Sequence, residues 1–81
     1  MEQKRRIGMN KIGIKDKNGK EIREGDVYHQ GAKNILYVVV ERDSKYIGKQ
    51  LGSSSYAGIE HFQKDIEVIG NVNENPNLIT A

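Results

Sequence analysis

Cysteine is absent from all 81 residues, so neither a disulfide framework nor a thiolate metal site can staple the chain, and stability must come from packing. That composition is compatible with a reducing cytosol. Long apolar runs are missing too. Residues 1–10 are basic but lack the roughly 7 to 15 apolar residues of a secretory signal. Nothing elsewhere approaches the roughly 20 apolar residues that a membrane span requires. Neither G-x-x-x-x-G-K-[ST] nor G-x-G-x-x-G occurs, which removes the familiar glycine-rich phosphate cradles. The expectation is a soluble intracellular protein with no membrane partner. A chain of this size buries only about 60% of the surface it exposes when unfolded, so one small core is the ceiling.

A catalytic constellation is also missing. A hydrolase or transferase needs a base, a nucleophile or metal, and a cleft to hold them. The chain offers two histidines, His29 and His61, with Asp26, Glu60 and Asp65 as neighbouring carboxylates. A two-histidine, one-carboxylate metal site can be drawn from these residues, but no ligand motif frames them. Their polar surroundings point instead to surface histidines. Ser53, Ser54 and Ser55 read as a flexible loop and not as nucleophiles. The expectation is therefore no catalytic residue, no metal ligand, no cofactor and no enzyme.

Net charge is only +2, but its distribution is uneven. Residues 1–23 hold eight Lys or Arg against three Asp or Glu, whereas residues 24–81 hold five against eight. Lys4, Arg5, Arg6, Lys11, Lys15, Lys17 and Lys20 could line a phosphate track, since each neutralised phosphate releases counterions. The plainer reading is a solvated, loose terminal arm. Four tyrosines, Tyr28, Tyr37, Tyr46 and Tyr56, could stack bases if any two shared an exposed face. Against that, Tyr37 lies in the strongest strand signal and the others are scattered among acidic residues.

The hydropathy pattern is that of strands. Ile12, Gly13, Ile14 and Lys15 alternate with period two and predict a first strand ending at Asp16. Asn18-Gly19 predicts a type I′ hairpin turn, which needs positive φ at both central residues. A return strand over residues 20–27 places Ile22 and Val27 five apart, so it must bulge or turn at Glu24-Gly25. Residues 29–34 and Asp43-Ser44 mark turns. Ile35-Leu36-Tyr37-Val38-Val39-Val40 predicts a central strand covered on both faces. Tyr46, Ile47 and Leu51 predict a shorter strand interrupted by Gly48, followed by a loop over residues 52–58. Residues 59–63 fit either a strand or a helical turn. Ile66, Val68, Ile69 and Val72 predict a last strand bent at Gly70. Asn75 before Pro76 pairs an N-cap residue with the one best tolerated at the first helical position, predicting a short C-terminal helical turn that docks Leu78 and Ile79.

Two segments carry a family resemblance. Asp16-Lys17-Asn18-Gly19-Lys20-Glu21-Ile22-Arg23-Glu24-Gly25-Asp26-Val27 resembles the opening motif of the YopX family of phage and prophage proteins, and Glu67-Val68-Ile69-Gly70-Asn71-Val72-Asn73-Glu74-Asn75-Pro76-Asn77-Leu78 resembles its closing motif. The motifs stand in the expected order around a β-patterned middle, and the resemblance covers about residues 14–79. It implies a phage or prophage origin, the cytoplasm of a bacterial host and a compact β-rich fold. It carries over no catalytic or binding residue. Residues 43–64 do not align with the family pattern. The Gly-Asp-Val step is also similar in outline to SH3-like modules of RNA-associated proteins.

The reading is thus a mainly β protein with minor α: a small twisted sheet or an SH3-like β-barrel. A basic N-terminal arm over residues 1–11 precedes a single YopX-like domain over residues 12–81. Its expected role is a non-catalytic accessory module that binds a host or phage protein, or a second copy of itself. The alternative is a nucleic-acid-binding small barrel that uses the basic front end.

Overall fold

The computed structural model describes residues 11–74. Seven strands run in chain order: β1 (Lys11–Lys15), β2 (Glu21–Arg23), β3 (Asp26–His29), β4 (Tyr37–Arg42), β5 (Lys45–Gln50), β6 (Tyr56–Ala57) and β7 (Glu67–Asn71), with a 3-10 helix over Glu60–Asp65 before β7. Strands β1 and β2 form a two-stranded sheet. The other five form a second sheet in the order β6-β5-β4-β3-β7. Strands β6 and β7 do not pair with each other, so the sheet stays open, and of the two expected architectures the small sheet is the one observed.

The first hairpin differs from expectation at its turn. Gly19 has φ of +83° but Asn18 has no positive φ, and the Gly19 amide donates to the Asp16 carbonyl at 3.0 Å. This is a three-residue loop in which one turn is closed by a left-handed glycine, not a two-residue type I′ turn. Asp16 decides the outcome. Its Oδ1 accepts the amides of Asn18 and Lys20, both at 2.9 Å, and so fills the loop with a carboxylate.

The expected kink at Glu24-Gly25 is a corner between sheets. Gly25, at φ +88°, turns the chain from β2 into β3. What reads as one bent strand in sequence is therefore two strands with different partners. The bulge expected near Gly70 is present: Val27 pairs with Gly70 and Tyr28 with Val68, leaving Ile69 as the extra residue. Asp43 and Ser44, at φ +54° and +68°, make the tight β4–β5 turn. Residues 59–63 resolve into the start of the 3-10 helix, which Gln63 ties to β1 by donating to the Lys15 carbonyl at 2.9 Å. Strand β1 already begins at Lys11. Of the expected arm over residues 1–11, Lys11 is thus in a strand and residues 1–10 lie outside the described residues, as does the helical turn expected at Asn75 and Pro76.

Strand β4 occupies the centre of the five-stranded sheet, but it starts at Tyr37 and leaves Ile35 exposed. Only Val39 is fully buried; Val38 and Val40 are half-buried, so the two faces are covered unequally. Val39 belongs to the core with Ile22, Tyr28, Ile59 and Ile66. Ile12 and Ile14 from the small sheet and Phe62 from the 3-10 helix pack onto that cluster. Burying each of these aliphatic side chains stabilises the fold by about 1.5–3 kcal/mol.

Gly48 does not interrupt β5, which runs through it unbroken. A Cβ at this position would collide with the Tyr28 hydroxyl and stand 2.9 Å from Tyr28 Cζ. Tyr28 stacks on Tyr37, centroids 5.3 Å apart, and its ring end occupies the space that any other residue at position 48 would fill. The hydroxyl is buried without a hydrogen-bond partner. That burial, with the neighbouring Tyr37, pushes its pKa well above the ordinary tyrosine value.

Candidate functional site

Among the described residues, three regions gather polar or charged side chains. The first is the hairpin end, where Lys15, Lys17 and Lys20 are exposed. The Lys17 ammonium lies 3.8 Å from a Glu67 carboxylate oxygen, so one of the three cations is partly neutralised. Lys4, Arg5 and Arg6, and the side chain of Lys11, lie outside the described residues. The candidate contacts are thus brought together only as this lysine group.

The second is a buried polar joint that the two motif segments form together. Val68 donates its amide to Asp16 Oδ2 at 3.0 Å, and Lys17 donates its amide to the Ile66 carbonyl at 2.9 Å. Burial raises the Asp16 carboxyl, but the amides of Val68, Lys20 and Asn18 and the charge of Lys20 outweigh it. Its pKa therefore falls below the ordinary 3.8. Asp26 Oδ2 accepts the Arg23 amide at 2.8 Å, and Oδ1 accepts Asn71 Nδ2 at 2.9 Å.

His29 belongs to the same joint and corrects an expectation. It is only 4% exposed and not a surface residue. Its Nδ1 accepts the Gly31 amide at 3.2 Å, which leaves the proton on Nε2, 3.1 Å from Glu67. Polar neighbours in sequence concealed this, because β3 is buried at every position. His61, by contrast, is exposed as expected. Among the described residues no group of three or more His, Asp or Glu could hold a metal ion. The residues singled out in the opening motif, Asn18, Gly19, Gly25 and Asp26, together with Gly70, build turns, the corner and the bulge. Each polar group in the joint already has a partner within the fold.

The third surface is the face of the large sheet turned away from the core. Strand register places Val27, Val38, Val40, Arg42, Lys45, Ile47, Lys49 and Tyr56 there, because successive side chains alternate. Exposure rises across it, from Val27 at 0% through half-buried Val38, Val40 and Ile47 to Tyr56 at 39%. Arg42 Cζ sits 4.4 Å above the Tyr56 ring centroid. Lys49 Nζ donates to the Ser53 carbonyl at 3.1 Å. Of these three only Tyr56 was singled out from sequence, as a possible base-stacking tyrosine; Arg42 and Lys49 fall in or beside the part that fits no motif. The alternation Val38-x-Val40-x-Arg42 and Ile47-x-Lys49 was the available signal. The opposite face takes Tyr28, Tyr37 and Tyr46, so no two tyrosines share an exposed face.

A cleft of about 440 Å³ also opens between β1, β5 and the 3-10 helix. Ile12, Ile14 and Ile59 line it, with Lys45, Glu60 and His61 among the polar residues. No helix among the described residues is long and apolar enough to cross a membrane.

Fold and sites together define a small, open, mainly β domain. Its motif residues hold two sheets together, and one sheet face presents Arg42, Lys45, Lys49 and Tyr56. The chain belongs to the YopX protein family, whose model matches residues 1–80. No curated protein matches it.

Proposed function

We propose that this YopX family member is a phage or prophage accessory protein of the bacterial cytoplasm, a non-catalytic module that acts by contacting a protein of host or phage origin or a second copy of itself. The observation that carries this reading is the division of polar groups. Buried Asp16, Asp26, His29 and Asn71 are engaged in structural hydrogen bonds, while the outer sheet face presents an aromatic–arginine pair beside half-buried aliphatic residues. Tyrosine and arginine are enriched among residues that dominate protein interfaces.

Affinity capture of the full chain from host cells, with nuclease treatment and reconstitution from purified components, tests the proposal. The expected result is a protein partner that survives nuclease and rebinds when pure, or self-association seen by light scattering. Capture that disappears with nuclease, together with a strict monomer, would refute it.

The exposed lysines of the hairpin favour a second reading, nucleic-acid binding. It requires a mobility shift at low salt that weakens steeply as salt rises. No shift with single- or double-stranded DNA or RNA removes it.

A further inference from the structure

We propose that the outer face of β4, β5 and β6 is a docking surface for an acidic, extended segment of a protein partner. In this arrangement Arg42 and Lys49 take its carboxylates and Tyr56 with Ile47 takes its apolar side chains. The inference rests on the protein-binding reading above and gives that reading a place and a chemistry.

Charge comes first. Arg42, Lys45 and Lys49 share this face, with Arg42 directly opposite Lys45 in the β4–β5 register. None of the three has a carboxylate partner among the described residues, where the ion pairs gather instead on Glu67. Three cations without acidic partners on one face complement a ligand of opposite sign.

Preorganisation is the second argument. Arg42 rests over the Tyr56 ring and Lys49 is tethered to the Ser53 carbonyl, so less side-chain freedom remains to be lost on binding. A guanidinium over a ring retains N–H donors that can take a carboxylate through two parallel hydrogen bonds. Ile47, half-buried and paired with Val40 in the β4–β5 register, supplies an apolar floor on the same face.

The same geometry argues for protein over nucleic acid. Base stacking along a strand uses successive aromatic faces. Tyr56 is the only tyrosine on this face, and Arg42 already covers one side of its ring.

The test uses the full chain, isotope-labelled for NMR, with three probes. These are a short synthetic peptide alternating glutamate and valine, the same peptide with lysine for glutamate, and an oligothymidylate. The glutamate peptide should shift the signals of Arg42, Ile47, Lys49 and Tyr56, and the lysine peptide should leave them in place. Arg42→Glu and, independently, Lys49→Glu should weaken binding by about tenfold or more, with the remaining spectrum showing that each variant is folded. Equal binding of both peptides, shifts centred on Lys15 and Lys20, or stronger binding of the oligothymidylate at this face would overturn the proposal. A cellular partner captured equally well by wild type and Arg42→Glu would overturn this surface and leave the protein-binding reading standing. Failure to capture any protein, together with a strict monomer by light scattering, would refute that reading, and the surface with it.

Discussion

The joint between the hairpin and β7 and the outer face of β4–β6 both gather polar and charged residues and treat them oppositely. In the joint, carboxylates and an imidazole are buried, and each is matched to a named donor or acceptor. On the outer face Arg42 and Lys45 are exposed and Lys49 is half-buried, and among the described residues these three cations stand without acidic partners. Polar groups that a fold needs for itself are desolvated and satisfied, because an unmatched one costs about 1–3 kcal/mol. Those left in water remain available to something else. The segments that announce the family are thus mostly scaffold, and the surface with unspent binding chemistry lies in the stretch between them.

The contrast can be broken most readily at Asp16. Asp16→Ala removes the acceptor of three backbone amides, two in the turn and one on β7, and should destabilise the protein by about 3 kcal/mol in urea unfolding. The carboxylate has a depressed pKa in the folded state. Its advantage over Asp16→Asn should therefore be complete above the ordinary value of 3.8 and shrink as pH falls through the lower folded value. A cost no greater than that of a surface substitution would erase the distinction between the two regions.

A smaller effect is expected inside the core. Gly48→Ala should cost about 2 kcal/mol, because the ring end of buried Tyr28 has nowhere to move. Tyr28→Phe should lessen that penalty in the double variant, and alone it should be neutral or stabilising by about 1 kcal/mol, since the hydroxyl it removes has no partner. Independent, additive effects of the two substitutions would show that the ring and the glycine do not meet.

The smallest effect belongs to the outer face. Tyr56→Ala should change stability by less than about 1 kcal/mol, the scale of an exposed cation–π contact. A loss near that of Asp16→Ala would mean that Tyr56 supports the fold, and the functional reading of this face would lose its basis.

Much of the fold was legible in sequence because it rests on local rules. Period-two alternation located β1, and apolar, β-branched runs located β4 and β7, to within a few residues, while positive-φ glycines marked the corner at Gly25 and the loop at Gly19. Where sequence reading failed, a distant residue had overruled a local preference. Asn18-Gly19 favours a two-residue turn on its own, yet Asp16 stabilises a longer loop and bonds across to Val68. Gly48 reads as a strand breaker until Tyr28, two strands away, supplies the reason for it. His29 looks solvated among polar neighbours, but Glu67 and the buried strand β3 enclose it. The candidate site was the least legible part, since Arg42, Lys49 and Tyr56 form no motif and meet only through strand register.

By itself, the sequence determined the β-rich class, the turns that glycine requires, the absence of thiol chemistry and the family. Those follow from backbone sterics and side-chain periodicity, which act over a few residues. Tertiary structure alone decided that one apparent strand is split between two sheets, that the sheet stays open, and which charges are used internally. These outcomes depend on pairings across tens of residues, where burial and hydrogen-bond satisfaction outweigh local preference.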